Sequence, residues 1–188
     1  MRRALALVAL LTLTGCGDDP PTDEDPGPIC EDGVTEVPII DPHDWAPATG
    51  DHPFVAFAPP EEDCAREAFI YEQLGPQVFY EINTDLCDGG TAAIPTIEAV
   101  TAGETVHMDL FHFDLSGPEG AEGHMEIAFG DEVVFSHTIP MPSGALVVRG
   151  EWVPDQDVPI GTVMTFHARN HGTNQYAAGP VYVERPCE

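Results

Sequence analysis

Apolar and polar residues alternate along most of the chain beyond residue 66. The longest such run, residues 104–115, reads ETVHMDLFHFDL. A two-residue period puts His107, Asp109, Phe111 and Phe113 on one face of a strand and Met108, Leu110, His112 and Asp114 on the other. Residues 67–73 and 77–83 are two further runs, parted by Leu74-Gly75-Pro76. Residues 91–100 are rich in Thr, Ile and Ala, with Pro95 marking an edge or a break. Residues 123–129 and 132–139 flank Gly130-Asp131, a two-residue hairpin turn between apolar runs. Residues 145–153, 162–169 and 175–185 complete the set. No segment sustains a 3.6-residue period, although residues 63–73 are helix-like in composition. About nine short strands, with turn signals about every ten residues, predict an all-β domain. The expected form is a single β-sandwich, jelly-roll-like.

The N-terminus follows another pattern. Arg2 and Arg3 precede an apolar run over residues 4–13, which is too short for a membrane-spanning helix of about 20 residues. Leu13-Thr14-Gly15-Cys16 closes the run. This order resembles the lipobox of bacterial lipoproteins. The resemblance implies removal of residues 1–15 as a signal peptide, lipidation of Cys16 and attachment to the membrane through that anchor. Gly17 follows the cysteine where an aspartate would favour the inner membrane, so the implied address is the outer membrane. Residues 17–28, GDDPPTDEDPGP, contain no aliphatic or aromatic side chain and cannot offset the entropy of ordering. Residues 16–28 are thus read as lipidated cysteine plus acidic tether, reaching on the order of 35 Å at about 3.1 Å per residue. Residues 29–188 form the sandwich domain.

Composition narrows the partners. The 188 residues carry 33 Asp and Glu against six Arg and no Lys, a formal charge of −27. Such a chain lacks the clustered cations that a nucleic-acid backbone or an anionic lipid surface requires. The apolar fraction of 43% is too high for a disordered chain. With Cys16 lipidated, Cys30, Cys64, Cys87 and Cys187 remain, an even number suited to two disulfides in an exported domain. Of three possible pairings, Cys64–Cys87 with Cys30–Cys187 is expected. The first closes a compact local loop and the second clamps the two ends of the domain. No Cys-x-x-Cys motif is present to suggest zinc or redox chemistry.

Val100-Thr101-Ala102-Gly103-Glu104-Thr105-Val106 and Val158-Pro159-Ile160-Gly161-Thr162-Val163 are strand-entry phrases. They resemble those of jelly-roll carbohydrate-binding modules and galactose-binding-like domains. From the residues themselves, the loop Asn170-His171-Gly172-Thr173-Asn174-Gln175-Tyr176 concentrates amides, a hydroxyl and an aromatic ring, groups suited to sugar hydroxyls and a pyranose face. Asn170, His171, Asn174 and Tyr176, with Trp152 as a stacking platform, are the expected ligand contacts. Trp45 is read as part of a strap packed onto the sandwich.

His167 and His171 are four apart, and with His112 from a neighbouring strand they are candidate ligands for a divalent metal such as copper or zinc. Asp155, Asp157 and the acids of residues 85–88 are loop oxygens of the kind calcium takes. No nucleophile elbow, His-Glu-x-x-His or phosphate loop occurs. Asp114, with Glu119 and Glu122, is the candidate for a paired-carboxylate hydrolase site. The expected role is non-catalytic binding of a carbohydrate or envelope polymer, or a surface-structural one. A His-rich metal-binding lipoprotein and an uncharacterised hydrolase are the alternatives.

Overall fold

The computed structural model describes residues 33–55, 66–170 and 174–187. The signal, the tether, Cys16, Cys30, Cys64 and His171 lie outside the described residues.

Among the described residues there are eleven strands: β1 (Val34–Pro38), β2 (Ala46–Pro47), β3 (Phe69–Leu74), β4 (Gln77–Asn83), β5 (Gly89–Pro95), β6 (Val106–His112), β7 (Glu122–Phe129), β8 (Glu132–Pro140), β9 (Leu146–Trp152), β10 (Val163–Arg169) and β11 (Gln175–Pro186). The nine strands expected from alternation are β3 to β11. Two were missed: β1, within a proline-rich lead-in, and β2, only two residues long. In the described part of the helix-like stretch, a 3-10 turn at Arg66–Ala68 precedes β3.

All strand pairs are antiparallel and form two sheets. The six-stranded sheet runs β3-β4-β11-β6-β9, with β1 also pairing β11; the five-stranded sheet runs β2-β5-β10-β7-β8. Within these, β4-β11-β6-β9 faces β5-β10-β7-β8. That is the strand order of a double-sheet jelly roll.

The core lies between the sheets. Strand β6 buries Val106, Met108, Leu110 and His112, while His107, Asp109 and Phe111 are turned outward. Strand β7 contributes Met125, Ile127 and Phe129, and β10 contributes Met164, Phe166 and Ala168. Trp45 bridges the sheets, its ring stacked on Tyr80 of β4 at 5.8 Å and edge-on to Phe166 of β10 at 6.5 Å. The Tyr71 hydroxyl donates to the Trp45 carbonyl at 2.6 Å, which ties down the strap. The expected turn is present: β7 and β8 are joined through Gly130-Asp131, with Gly130 at φ 56°.

The first part of β11 pairs with β4 (Tyr176 opposite Ile82), and its last part pairs with β1 (Val183 opposite Val37). Its ladder with β6 shifts register between Ala178 and Val181. Gly179 sits in that irregularity. A Cβ there would stand 2.5 Å from Phe79 Cε1 and 2.9 Å from the Asp109 carbonyl oxygen. The side chain can yield; the backbone of a paired strand cannot do so without loss of hydrogen bonds. Gly179→Ala is therefore expected to destabilise the domain by about 1–3 kcal/mol, measured by urea unfolding. Unchanged stability would show that the β6–β11 ladder is looser than its register implies.

Candidate ligand-binding face

The residues that composition singled out in the 170–176 loop are consumed by the fold. Asn170, Asn174 and Tyr176 are all buried. Asn170 Nδ2 donates to the Tyr176 hydroxyl at 2.9 Å. Thr84 Oγ1 lies 3.2 Å from Asn170 Oδ1 and 2.9 Å from the Asn174 carbonyl. The Asn174 amide grips Ser116, accepting from its N–H at 2.8 Å and donating to its carbonyl at 3.1 Å. Burial pushes the Tyr176 phenol up to about 12. These groups satisfy the buried ends of several loops. Trp152 stacks on Phe129 at 4.8 Å and packs half-buried against the core.

Of the candidate metal ligands, His112 and His167 do not share a site. The His112 ring is fully buried on the inward face of β6, with Nδ1 2.9 Å from the Phe113 carbonyl. His167 is on the outward side of β10, because its neighbours Phe166 and Ala168 are the ones that enter the core. The core and the five-stranded sheet separate the two rings. Among the described residues no group of three or more His, Cys, Asp or Glu is placed to hold a metal ion. Asp157 is occupied by the Ala102 N–H at 2.9 Å and Asp114 by the Ala145 N–H at 2.8 Å. These hydrogen bonds brace loops.

The outward face of the six-stranded sheet is different. Cross-strand registers assemble it row by row. One row runs Ile70, Glu81, Ala177, Phe111 and Val147 across β3, β4, β11, β6 and β9. Beside it lie Glu72 with Phe79, and Asp109 with Arg149; a third row holds Pro38, Tyr182, His107 and Glu151. The small side chain of Ala177 and the absent one of Gly179 make β11 a shallow trough. Phe79 and Phe111 meet across it edge-to-face at 6.5 Å, and Phe113 meets Phe111 at 4.8 Å. His107 stacks on Tyr182 at 5.2 Å, with Nδ1 3.5 Å from Glu151 Oε1. The Arg149 guanidinium, 80% exposed, lies 3.3 Å from Asp109 Oδ1.

Glu81 is the anomaly of this face. It is only 1% exposed, and its Oε1 has no hydrogen-bond partner. Burial, reinforced by the negative charges of Glu72 and Asp85, pushes its carboxyl up to about 7. The arrangement as a whole offers half-buried rings, carboxylates and a single guanidinium on a strand platform. Such a surface suits a ligand with both C–H faces and hydroxyls, since the rings cover the former and the charged groups bond the latter. Alternation had already placed His107, Asp109, Phe111 and Phe113 together. Phe79, Glu81, Arg149 and Tyr182 come from other strands, and their place depends on registers that no local pattern reveals.

No protein-family model matches the chain. No curated protein matches it. Among solved structures, it is similar to a carbohydrate-binding module described for specific mannan recognition, at 8% identity and a TM-score of 0.45, covering 81% of this chain and 96% of that one. A carbohydrate-binding module specific for non-crystalline cellulose is similar at 13% identity and a TM-score of 0.43, covering 78% of this chain and 89% of that one. An arabinose-bound α-L-arabinofuranosidase is similar at 10% identity and a TM-score of 0.43; 81% of this chain is covered, but only 27% of the enzyme.

The Glu81 carboxyl gives a pH signature. Its folded value is raised from 4.5 to about 7, so between those values the folded state holds more proton than the unfolded one. Its contribution to stability is present below 4.5 and lost as pH rises through 7. Glu81→Gln is expected to match the parent near pH 4.5 and to exceed it above pH 7, as read by thermal unfolding across pH. Equal pH profiles for the two proteins would remove the buried acid from this face.

Proposed function

We propose that this protein is a lipid-anchored, exported envelope protein that binds a carbohydrate or envelope polymer without catalysis, on the outward face of its six-stranded sheet. The single observation that carries the reading is the juxtaposition of Phe111, the stacked pair His107–Tyr182 and the Arg149–Asp109 pair on one accessible face. A polymer laid across the strands would meet rings and hydrogen-bonding groups in alternation. A glycan array probed with the full-length protein in detergent tests it. Binding to at least one polysaccharide class is expected. Phe111→Ala and Tyr182→Ala should each weaken it several-fold, in line with about 1 kcal/mol per ring contact. An array with no bound glycan, or variants that bind as the parent does, would refute the assignment.

The anchoring reading keeps Cys16 as the lipidated residue, residues 1–15 as the cleaved signal and the outer membrane as the destination. Two features of the domain support the expected disulfides. The β3–β4 ladder runs from Leu74 opposite Gln77 to Phe69 opposite Ile82, residues five positions in sequence from Cys64 and from Cys87. At the other end, the Cys187 N–H donates to the Gly33 carbonyl at 3.0 Å, three residues from Cys30. Membrane extraction and a non-reducing peptide map of the native protein are expected to show an acylated Cys16 N-terminus with Cys64–Cys87 and Cys30–Cys187 cross-links. A free Cys16 thiol in an uncleaved chain, or any other pairing, contradicts this.

A further inference from the structure

The edges of the two sheets differ in what can pair with them. Among the described residues, β1, β2, β3, β8 and β9 each have one side without a neighbouring strand. Unpaired backbone N–H and C=O groups along such an edge are a template for a further strand, and proline, bulges and unmatched charge are the usual protection. Strands β1, β2 and β8 contain Pro38, Pro47 and Pro140, and β8 meets β7 through a register shift. Strand β3 carries Glu72 and no basic residue. Strand β9, LVVRGEW, has no proline and keeps an unbroken register with β6. It is also the one described edge strand that carries both signs of charge, in Arg149 and Glu151. Phe135 of β8 lies close under Gly150, where a Cβ would stand 2.7 Å from its ring, so the core is closed beneath this edge.

The outward face of β9 is complementary to itself. Val147, Arg149, Glu151 and, just past the strand, Val153 follow one another in alternation. The two valines are half exposed, and the Arg149 and Glu151 side chains are 80% and 69% exposed. Their contacts within the chain, to Asp109 and His107, are both on the β6 side. Two copies of β9 laid antiparallel about a two-fold axis perpendicular to the sheet keep outward residues opposite outward residues, so the axis passes through a residue position. An axis at Arg149 sets that guanidinium against its own copy, and one at Glu151 does the same to the carboxylate; like charges directly opposite are destabilising. An axis at Gly150 sets each Arg149 opposite the second copy's Glu151. It also sets each Val147 opposite the second copy's Val153, so apolar pairs flank the charged ones.

We propose that the chain forms a two-fold dimer in which β9 pairs with β9 of a second copy about Gly150, held by backbone hydrogen bonds and by two reciprocal Arg149–Glu151 pairs. The outward faces of both six-stranded sheets then point the same way and meet edge to edge. Sedimentation equilibrium of the full-length protein in density-matched detergent tests it, and a dimer in equilibrium with monomer is expected. Each dimer holds the charge pair twice, so Arg149→Glu and Glu151→Arg should each weaken association at least about tenfold. The double variant R149E/E151R should return it to within about threefold of the parent. Asp109 loses its guanidinium in R149E and in the double variant alike, so the recovery reports contact between copies. Both positions are exposed, and thermal unfolding checks that each variant is folded. The readout is mass, so failure here is distinct from failure of the glycan assignment. A monomer at every concentration, which is the outcome if the edge serves a strand of another protein, would overturn the proposal. So would a dimer that neither single change weakens, or a double variant as weak as the singles.

Discussion

Burial on both sides of the two central strands is the constraint from which the rest of the structure follows. Strand β10 has Met164, Phe166 and Ala168 in the core, yet Thr165 and His167 on its outward side are buried as well. A strand in that position needs a cover. The strap supplies it, with Trp45 entering between the sheets at one point and Phe54 lying flat on His167 at another. The imidazole is held well below its usual range, at about 4, chiefly by burial and then by Arg169 and His52. It is thus neutral at physiological pH and can stack as an uncharged ring.

Strand β11 meets the same demand differently. Two of its outward positions are reduced to Ala177 and Gly179, and neighbouring rings lean over them. Phe79 fills the space a side chain at 179 would take. No strap is needed, and the face stays accessible at its margins. One sheet is covered by chain and the other by its own side chains. The two sides of the sandwich consequently differ: a strap laid over small side chains on one, a field of rings and paired charges on the other.

Much of the fold was legible because alternation is a local property. Strand β4 falls on residues 77–83 as expected, and the Gly130-Asp131 hairpin was plain from two adjacent residues. What escaped was what depends on a partner. Strand β1, VTEVP, is a strand because β11 extends past β4 and offers it an edge. The two residues of β2 exist only as a ladder with Ala92 and Ala93. The same division holds for the site. One strand's share, His107 to Phe113, could be seen in sequence; the rows completed by Phe79, Glu81, Arg149 and Tyr182 could not. The 170–176 loop misled for a physical reason. Amides, hydroxyls and a phenol that suit a sugar also suit one another and the backbone groups at the end of a sandwich: here Asn174 serves the Ser116 backbone, and Asn170 bonds the Tyr176 hydroxyl.

The hydrogen bond from Cys187 to Gly33 has a topological meaning. It places the first and last strands of the domain side by side, so that the polypeptide comes close to forming a ring. The jelly-roll order belongs to that ring, and the point at which it is opened is incidental to it. A chain rearranged to join 187 to 33 through a few residues, with new ends at the Gly75-Pro76 turn, would trace the same two sheets in a different linear order.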